Sequence, residues 1–172
     1  GFDGNLEIGA SVALDGVCMT VVAIDSGKVG FEAIDETLDR TTLAEKVIGD
    51  LLNVERSLRM GDELGGHLLS GHVMCTAEIL DRAEVGEGMD LRVSMPDEAR
   101  SYVLEKGYVA VDGMSLTVGR VEESGFDLHI IPETIRVTTI GQKSVGDKVN
   151  IEVDSQTQAI VDTLSRSMEV SG

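Results

Sequence analysis

The chain has 172 residues, 42% apolar and 26% charged, enough for one domain of ordinary size or two small ones. Its formal net charge of −17 and pI near 4.3 argue against nucleic acid or an anionic membrane as partner, because both polyanions need lysine and arginine opposite them. Neither a membrane span of ~20 apolar residues nor a secretion signal is expected, and three His with two Cys in no ligand spacing argue against a metal.

In chain order, residues 11–14 and 17–24 read as strands joined by an Asp-Gly turn, followed by a Ser26-Gly27 turn and a strand over 29–34. Residues 36–41 shift to helical spacing for about a turn and a half. A Gly49-Asp50 turn then precedes a strand over 51–55. Residues 58–72 form a glycine-rich bridge, through Met60-Gly61-Asp62 and Leu64-Gly65-Gly66 into His67-Leu68-Leu69-Ser70-Gly71-His72. Beyond it, strands are expected over 73–81, 89–94, 108–111, 114–121, 126–131 and 148–153, with a short helix near 97–102 and a helical turn from Glu133. The tail differs: over 155–168, Ile160, Leu164 and Met168 stand four apart on one stripe of an amphipathic helix, which Asp154 or Ser155 can cap. That stripe must be covered, either by the chain's own barrel or by neighbouring subunits.

The chain repeats itself. Leu14-Asp15-Gly16-Val17-Cys18-Met19-Thr20-Val21 returns as Val111-Asp112-Gly113-Met114-Ser115-Leu116-Thr117-Val118, 97 positions later. Residues 9–57 laid on 106–154 without a gap give 16 identities in 49 pairs, against roughly three expected from ordinary composition. Two similar units are therefore expected, over 1–66 and 67–154, with the helix as residues 155–172. Few aromatics, many Val and Gly, and frequent turns suit small closed barrels, so the fold class is all-β. The second unit has 39 residues (67–105) before the matched region and the first only eight. About 31 residues are thus expected to be missing in front of the first unit, and with them the N-terminal strand of the first barrel.

Three features carry candidate chemistry. Cys18 and Thr20, and likewise Ser115 and Thr117, are two apart on a strand and share one side, where paired small polar groups can hydrogen-bond the edge of a heterocycle. The plainer reading makes the threonines ordinary β-residues and Cys18 a small buried hydrophobe. The repeated Ile34-Asp35-Glu36-Thr37 and Ile131-Pro132-Glu133-Thr134 mark strand-to-helix junctions whose free N–H groups can bind an acceptor-rich ring or a sugar hydroxyl, or serve simply as caps. His67 and His72, five apart in the bridge, are candidate proton carriers; His129 reads as structural. Cys18 and Cys75 show no disulfide or metal spacing, so a reduced, cytoplasmic setting is expected.

Taken together, residues 14–21, Gly65 to Val73, residues 111–118, Ile131-Pro132-Glu133-Thr134-Ile135 with Thr138-Thr139, and Gly146 to Asp154 resemble riboflavin synthase of the alpha-chain type over essentially the whole chain. The resemblance implies two similar six-stranded Greek-key barrels and a C-terminal helix through which a homotrimer forms. It implies dismutation of two molecules of 6,7-dimethyl-8-ribityllumazine to riboflavin and 5-amino-6-ribitylamino-pyrimidinedione, with no cofactor and no metal. The working pocket is implied between the first barrel of one subunit and the second barrel of the next, and a lumazine synthase is implied as a further partner.

Carried onto this sequence, the first-barrel substrate contacts are Cys18, Met19 and Thr20 with Glu32, Ala33, Ile34, Asp35, Glu36 and Thr37. The second-barrel contacts are Gly71, His72, Val73, Lys106, Ser115, Leu116, Thr117, Ile130, Ile131, Pro132, Glu133, Thr134 and Ile135. The resemblance further implies His72 and Ser115 in proton transfer or water activation and Thr20 and Thr117 as ring orienters. Cys18 becomes a candidate nucleophile at C7, and Asp154 an acid behind the site or beside the ribityl chain. Family members begin with a Met-Phe-Thr-Gly-Ile type segment that this sequence lacks. The competing expectation is a lumazine- or flavin-carrying optical protein on the same barrels; retention of both polar pairs and of His72 favours the synthase.

Overall fold

The computed structural model describes residues 4–171. The first unit consists of β1 (Ser11–Leu14), β2 (Val17–Asp25), β3 (Lys28–Phe31), α1 (Asp35–Arg40), a 3-10 turn (Thr42–Glu45) and β4 (Val54–Arg56). The second has β5 (Cys75–Val85), β6 (Gly88–Ser94), β7 (Tyr108–Val111), β8 (Met114–Glu122), β9 (Gly125–Ile130), α2 (Pro132–Val137), a 3-10 turn (Thr139–Gln142) and β10 (Lys148–Val153), before the long helix α3 (Ser155–Ser171). The first five elements of the first unit each begin 97 positions before their counterparts in the second. The expected helix near residues 97–102 forms as consecutive turns, with Arg100 N donating to Pro96 O and Val103 N to Ala99 O. None of the described helices is long and apolar enough to cross a membrane.

The second unit is a closed barrel in the order β10-β5-β6-β9-β8-β7, with β6 beside β9 and β5 beside β10 in Greek-key fashion. Closure gives it a continuous core. Phe126, Ile79, Leu91, Leu128 and Ile151 are fully buried inside it, and Met95, Ala99 and Val103 extend the same cluster. Each such side chain contributes roughly 1.5–3 kcal/mol by leaving water.

The first unit is a four-stranded sheet, β3-β2-β1-β4, which repeats the order β9-β8-β7-β10 of the barrel. Among the described residues it has no counterparts of β5 and β6, the part of the repeat that precedes the matched region. Its core is correspondingly small: Leu6, Val12 and Val21, with Phe31, Val29 and Ile24 packed half-buried against them.

The two units meet at their Asp-Gly turns. Asp15 (φ 45°) and Gly16 (φ 79°), like Asp112 (φ 46°) and Gly113 (φ 82°), hold the positive φ pair of a type I′ hairpin. The turns sit back to back, so that a methyl group on Gly16 would lie 2.6 Å from Gly113 N. Around them runs a reciprocal network. Asn53 Nδ2 donates to Asp112 O at 3.0 Å and Asn150 Nδ2 to Asp15 O at 2.8 Å. Their Oδ1 atoms accept from Thr139 N and Thr42 N, both at 2.8 Å. Asp15 accepts from Asn53 N at 2.7 Å and Asp112 from Asn150 N at 2.8 Å. Lys46 and Lys143 pair with the same two buried carboxylates at 2.9 and 3.2 Å. Buried polar groups are costly unless partnered; here each carboxylate is held by its own unit, while the Asn53 and Asn150 side chains bond across to the other.

Helix α3 is capped by Asp154, whose carboxylate accepts from Thr157 N at 3.0 Å and Thr157 Oγ1 at 2.7 Å. Tyr102 ties its first half to the barrel by donating to Asp162 at 2.7 Å. Its apolar stripe, Ile160, Leu164 and Met168, is left exposed by its own chain.

Candidate active site

Alternation along the duplicated strands sorts their side chains. On β2, Val17, Met19 and Val21 face the core while Cys18 and Thr20 face out; on β8, Met114, Leu116 and Val118 face in while Ser115 and Thr117 face out. The bulkier apolar set takes the interior because it removes more surface from water. Cys18 is therefore exposed, and the reading of it as a small buried hydrophobe is overturned. That description fits Cys75, whose thiol burial pushes up to about 11, leaving it inert.

A cavity of about 380 Å³ lies where the units meet, and Cys18, Ser115 and Gly71 line it together. His67, a candidate proton carrier from the sequence, lines it as well, together with Glu55 and Glu152, which the sequence reading did not assign to the site. The bridge threads through this cavity and touches both members of the duplicated pair. At one end His67 N donates to Ser115 Oγ at 3.0 Å, with His67 Nδ1 2.6 Å from the same oxygen. At the other end Cys18 N donates to Gly71 O at 2.8 Å. Between them the buried Glu152 carboxylate accepts from Ser70 N at 2.7 Å, Ser70 Oγ at 2.8 Å and Gly71 N at 3.1 Å.

Glycine is required at both ends of that path. Gly66 (φ 91°) passes so close to Ser115 that a methyl group would overlap its side chain, and Gly71 (φ 75°) does the same against Cys18.

The His67 ring stacks on Tyr108, with centroids 5.1 Å apart at 17°. Burial lowers its pKa, while the nearby charges of Asp154 and Glu152 pull it back up. Glu55, the counterpart of Glu152, has a raised pKa, first from burial and then from the Glu152 charge across the cavity. The cavity thus gathers a thiol, an imidazole, a guanidinium, three carboxylates and several hydroxyls, groups suited to orienting a heterocycle and moving protons.

The other residues singled out from sequence fall in several places. Thr20 and Thr117 are exposed on the outer faces, and His72 is exposed on the bridge, outside the cavity lining. Val73 is half-buried. Met19, Leu116 and Ile130 point into the interior, so their side chains belong to packing. Lys106 is exposed with φ 65° and donates from its backbone to Val118 O. Ala33, Thr37, Thr134 and Ile135 are half-buried, while Glu32, Ile34, Asp35, Glu36, Ile131, Pro132 and Glu133 are exposed. Neither α1 nor α2 has a side-chain cap at its start. Glu36 pairs with Arg40, and Glu133 with Arg136. Asp154 spends its carboxylate on capping α3, so it acts on the site only through its charge.

The missed residues carried a signal. Glu55 and Glu152, Asn53 and Asn150, and Lys46 and Lys143 are all identities in the repeat that exposed the Asp-Gly strands.

The lumazine binding domain family model matches residues 3–57 and 70–154, one segment per unit. The chain is 46% identical over 162 residues to riboflavin synthase of Escherichia coli (strain K12), covering 94% of this chain and 76% of that protein. It is 47% identical over 167 residues to riboflavin synthase of Chlamydia pneumoniae, covering 97% and 82% respectively. Riboflavin synthase of Brucella abortus (strain 2308) is 44% identical over 154 residues, covering 87% and 76%. Among solved structures, LumP complexed with 6,7-dimethyl-8-(1'-D-ribityl) lumazine superposes with a TM-score of 0.79 at 23% identity, covering 87% of this chain and 81% of that one, a likeness of fold. Duplicated strands, back-to-back turns and two matched segments lead to one conclusion: the chain belongs to the lumazine binding domain family.

Proposed function

We infer that this chain is a riboflavin synthase, which transfers a four-carbon unit between two molecules of 6,7-dimethyl-8-ribityllumazine to give riboflavin and 5-amino-6-ribitylamino-pyrimidinedione. The observation that carries this is identity of 46 and 47% to two such synthases over nearly the whole chain. The chemistry suits what the chain offers. Protons on the substrate's 7-methyl group are acidic because the carbanion delocalises into the ring, so the enzyme has chiefly to align two rings and shuttle protons. One ring is oxidised as its twin is reduced, and the balance closes between them.

In this reading residues 1–66 and 67–154 each bind one ring on the outer face of the sheet. Cys18, Thr20 and the 32–37 segment serve the first, and Ser115, Thr117, His72, Lys106 and the 130–135 segment serve the second. The outward, solvent-reaching positions of Cys18, Thr20 and Thr117 support it. The two half-sites meet between subunits of a homotrimer built on α3, whose uncovered stripe of Ile160, Leu164 and Met168 supplies the apolar contact. A cytoplasmic setting and hand-over of substrate from a lumazine synthase complete the proposal.

The test is direct. Purified protein mixed with 6,7-dimethyl-8-ribityllumazine should produce riboflavin absorbance; stable stoichiometric fluorescence without riboflavin would make the chain a carrier instead. Removal of residues 156–171 should lower the sedimentation coefficient to that of a monomer and abolish turnover, whereas an unchanged profile would refute assembly through the helix.

A further inference from the structure

We propose that His67, rather than His72, is the positioning residue that sets the direction of the Ser115 hydroxyl, making Ser115 a proton acceptor or a proton donor towards the cavity. The inference rests on the synthase reading for its kinetic consequence, but the pairing itself does not.

The geometry of one oxygen carries the argument. Ser115 Oγ has one proton and two lone pairs. His67 N donates into one lone pair at 3.0 Å, and Nδ1 lies on a second side at 2.6 Å. With Nδ1 bare, the hydroxyl proton points at the ring and a lone pair faces the cavity, ready to accept. With Nδ1 protonated, the ring donates instead, both lone pairs are taken, and the hydroxyl proton turns outward. Protonation of one ring thus reverses the polarity that Ser115 presents.

The surroundings keep this arrangement in place. His67 is nine-tenths buried and stacked on Tyr108, so its ring cannot swing away. Its Nε2 is also buried, with no hydrogen-bond partner among the described residues; the neutral ring of this proposal is the Nε2–H tautomer, which leaves Nδ1 bare to accept from the Ser115 hydroxyl. The charged and titratable groups around it are Glu152 and Asp154 at the end of β10, Glu55 and Arg56 on β4, Glu63 on the bridge, Cys18 on β2 and Tyr108 on β7. Burial favours the neutral ring and the carboxylates favour the cation, with burial the larger effect. His67 therefore stays neutral until the pH falls below its ordinary value of 6.5. Gly66 belongs to the same device, since any larger residue would push His67 off Ser115.

Two measurements test it. In the full chain without substrate, NMR titration of the imidazoles should show the His67 midpoint moving when Ser115→Ala removes the hydroxyl, while the His72 midpoint stays put. An unmoved His67 midpoint would overturn the pairing, whatever reaction the protein performs. In the riboflavin assay, the wild-type rate should fall on the acid side, below pH 6.5. His67→Asn, which keeps a polar atom near Nδ1 but does not titrate, should lose that limb and about a hundredfold in kcat, with KM changed by less than about threefold. Retention of the limb in His67→Asn, or its loss in His72→Asn, would overturn the proposal.

Discussion

The two halves descend from one pattern, yet among the described residues only the second closes. β1 through β4 reproduce the neighbours and hairpin register of β7 through β10, down to Leu14 opposite Val17 and Val111 opposite Met114. The interior they enclose is not reproduced. Phe126 is wholly buried in the barrel, whereas its counterpart 97 positions earlier, Val29, is half-buried at the margin of a three-residue core. Strand pairing is a local, pairwise property that a duplicated sequence copies, but burial is collective and requires a sheet that wraps around. The first unit compensates at the seam, where its Asp15, Lys46 and Asn53 are partnered as completely as Asp112, Lys143 and Asn150.

The sharpest way to break this comparison is a matched pair of core truncations. Phe126→Ala should cost about 3–5 kcal/mol, and Val29→Ala less than about 1 kcal/mol, read from chemical denaturation midpoints. Equal losses would mean that the open unit is as tightly packed as the closed one. The seam should respond less, and more evenly. Asn150→Ala strands Asp15 O and Thr42 N and should cost about 2–4 kcal/mol. Asn53→Ala, in a half-buried setting, should cost about 1–2 kcal/mol. An Asn53 loss larger than that of Asn150 would invert the assignment of the stronger anchor.

The smallest effect is a matter of pH. Burial raises the Asp112 pKa from 3.8 to about 6, against the opposing pull of Lys143 and the Asn150 N–H. A carboxyl whose pKa is raised on folding adds stability that is fully present below pH 3.8 and is lost as pH rises through about 6. Asp112→Asn removes that titration, so its cost relative to wild type should be greater near pH 4 than near pH 7, by on the order of 1 kcal/mol. A difference independent of pH would show that Asp112 stays ionised throughout.

Particular residues show how far the sequence could be read. β1 and β7 were legible to the residue, because an Asp-Gly pair between apolar runs has few alternatives to a tight hairpin. The expected strand over 51–55 forms only at Val54–Arg56, and β5 begins two residues later than expected, since strand ends depend on partners that local patterning does not contain. The pairing of Cys18 with Thr20 and of Ser115 with Thr117 on one side was equally legible. Which imidazole reaches Ser115 was not: His67 and His72 share a glycine-rich bridge, and backbone freedom there leaves the choice to long-range contacts with Ser115, Cys18 and Glu152.

Duplication, the all-β class, the hairpins, the capped terminal helix and the family were written in the order of the residues, since each rests on neighbours a few positions apart or on a repeat counted along the chain. Tertiary structure alone decided that the duplicated turns stand back to back and that a thiol and a hydroxyl 97 positions apart share one cavity. Those facts depend on which surfaces exclude water together, and that is a property of the assembled fold.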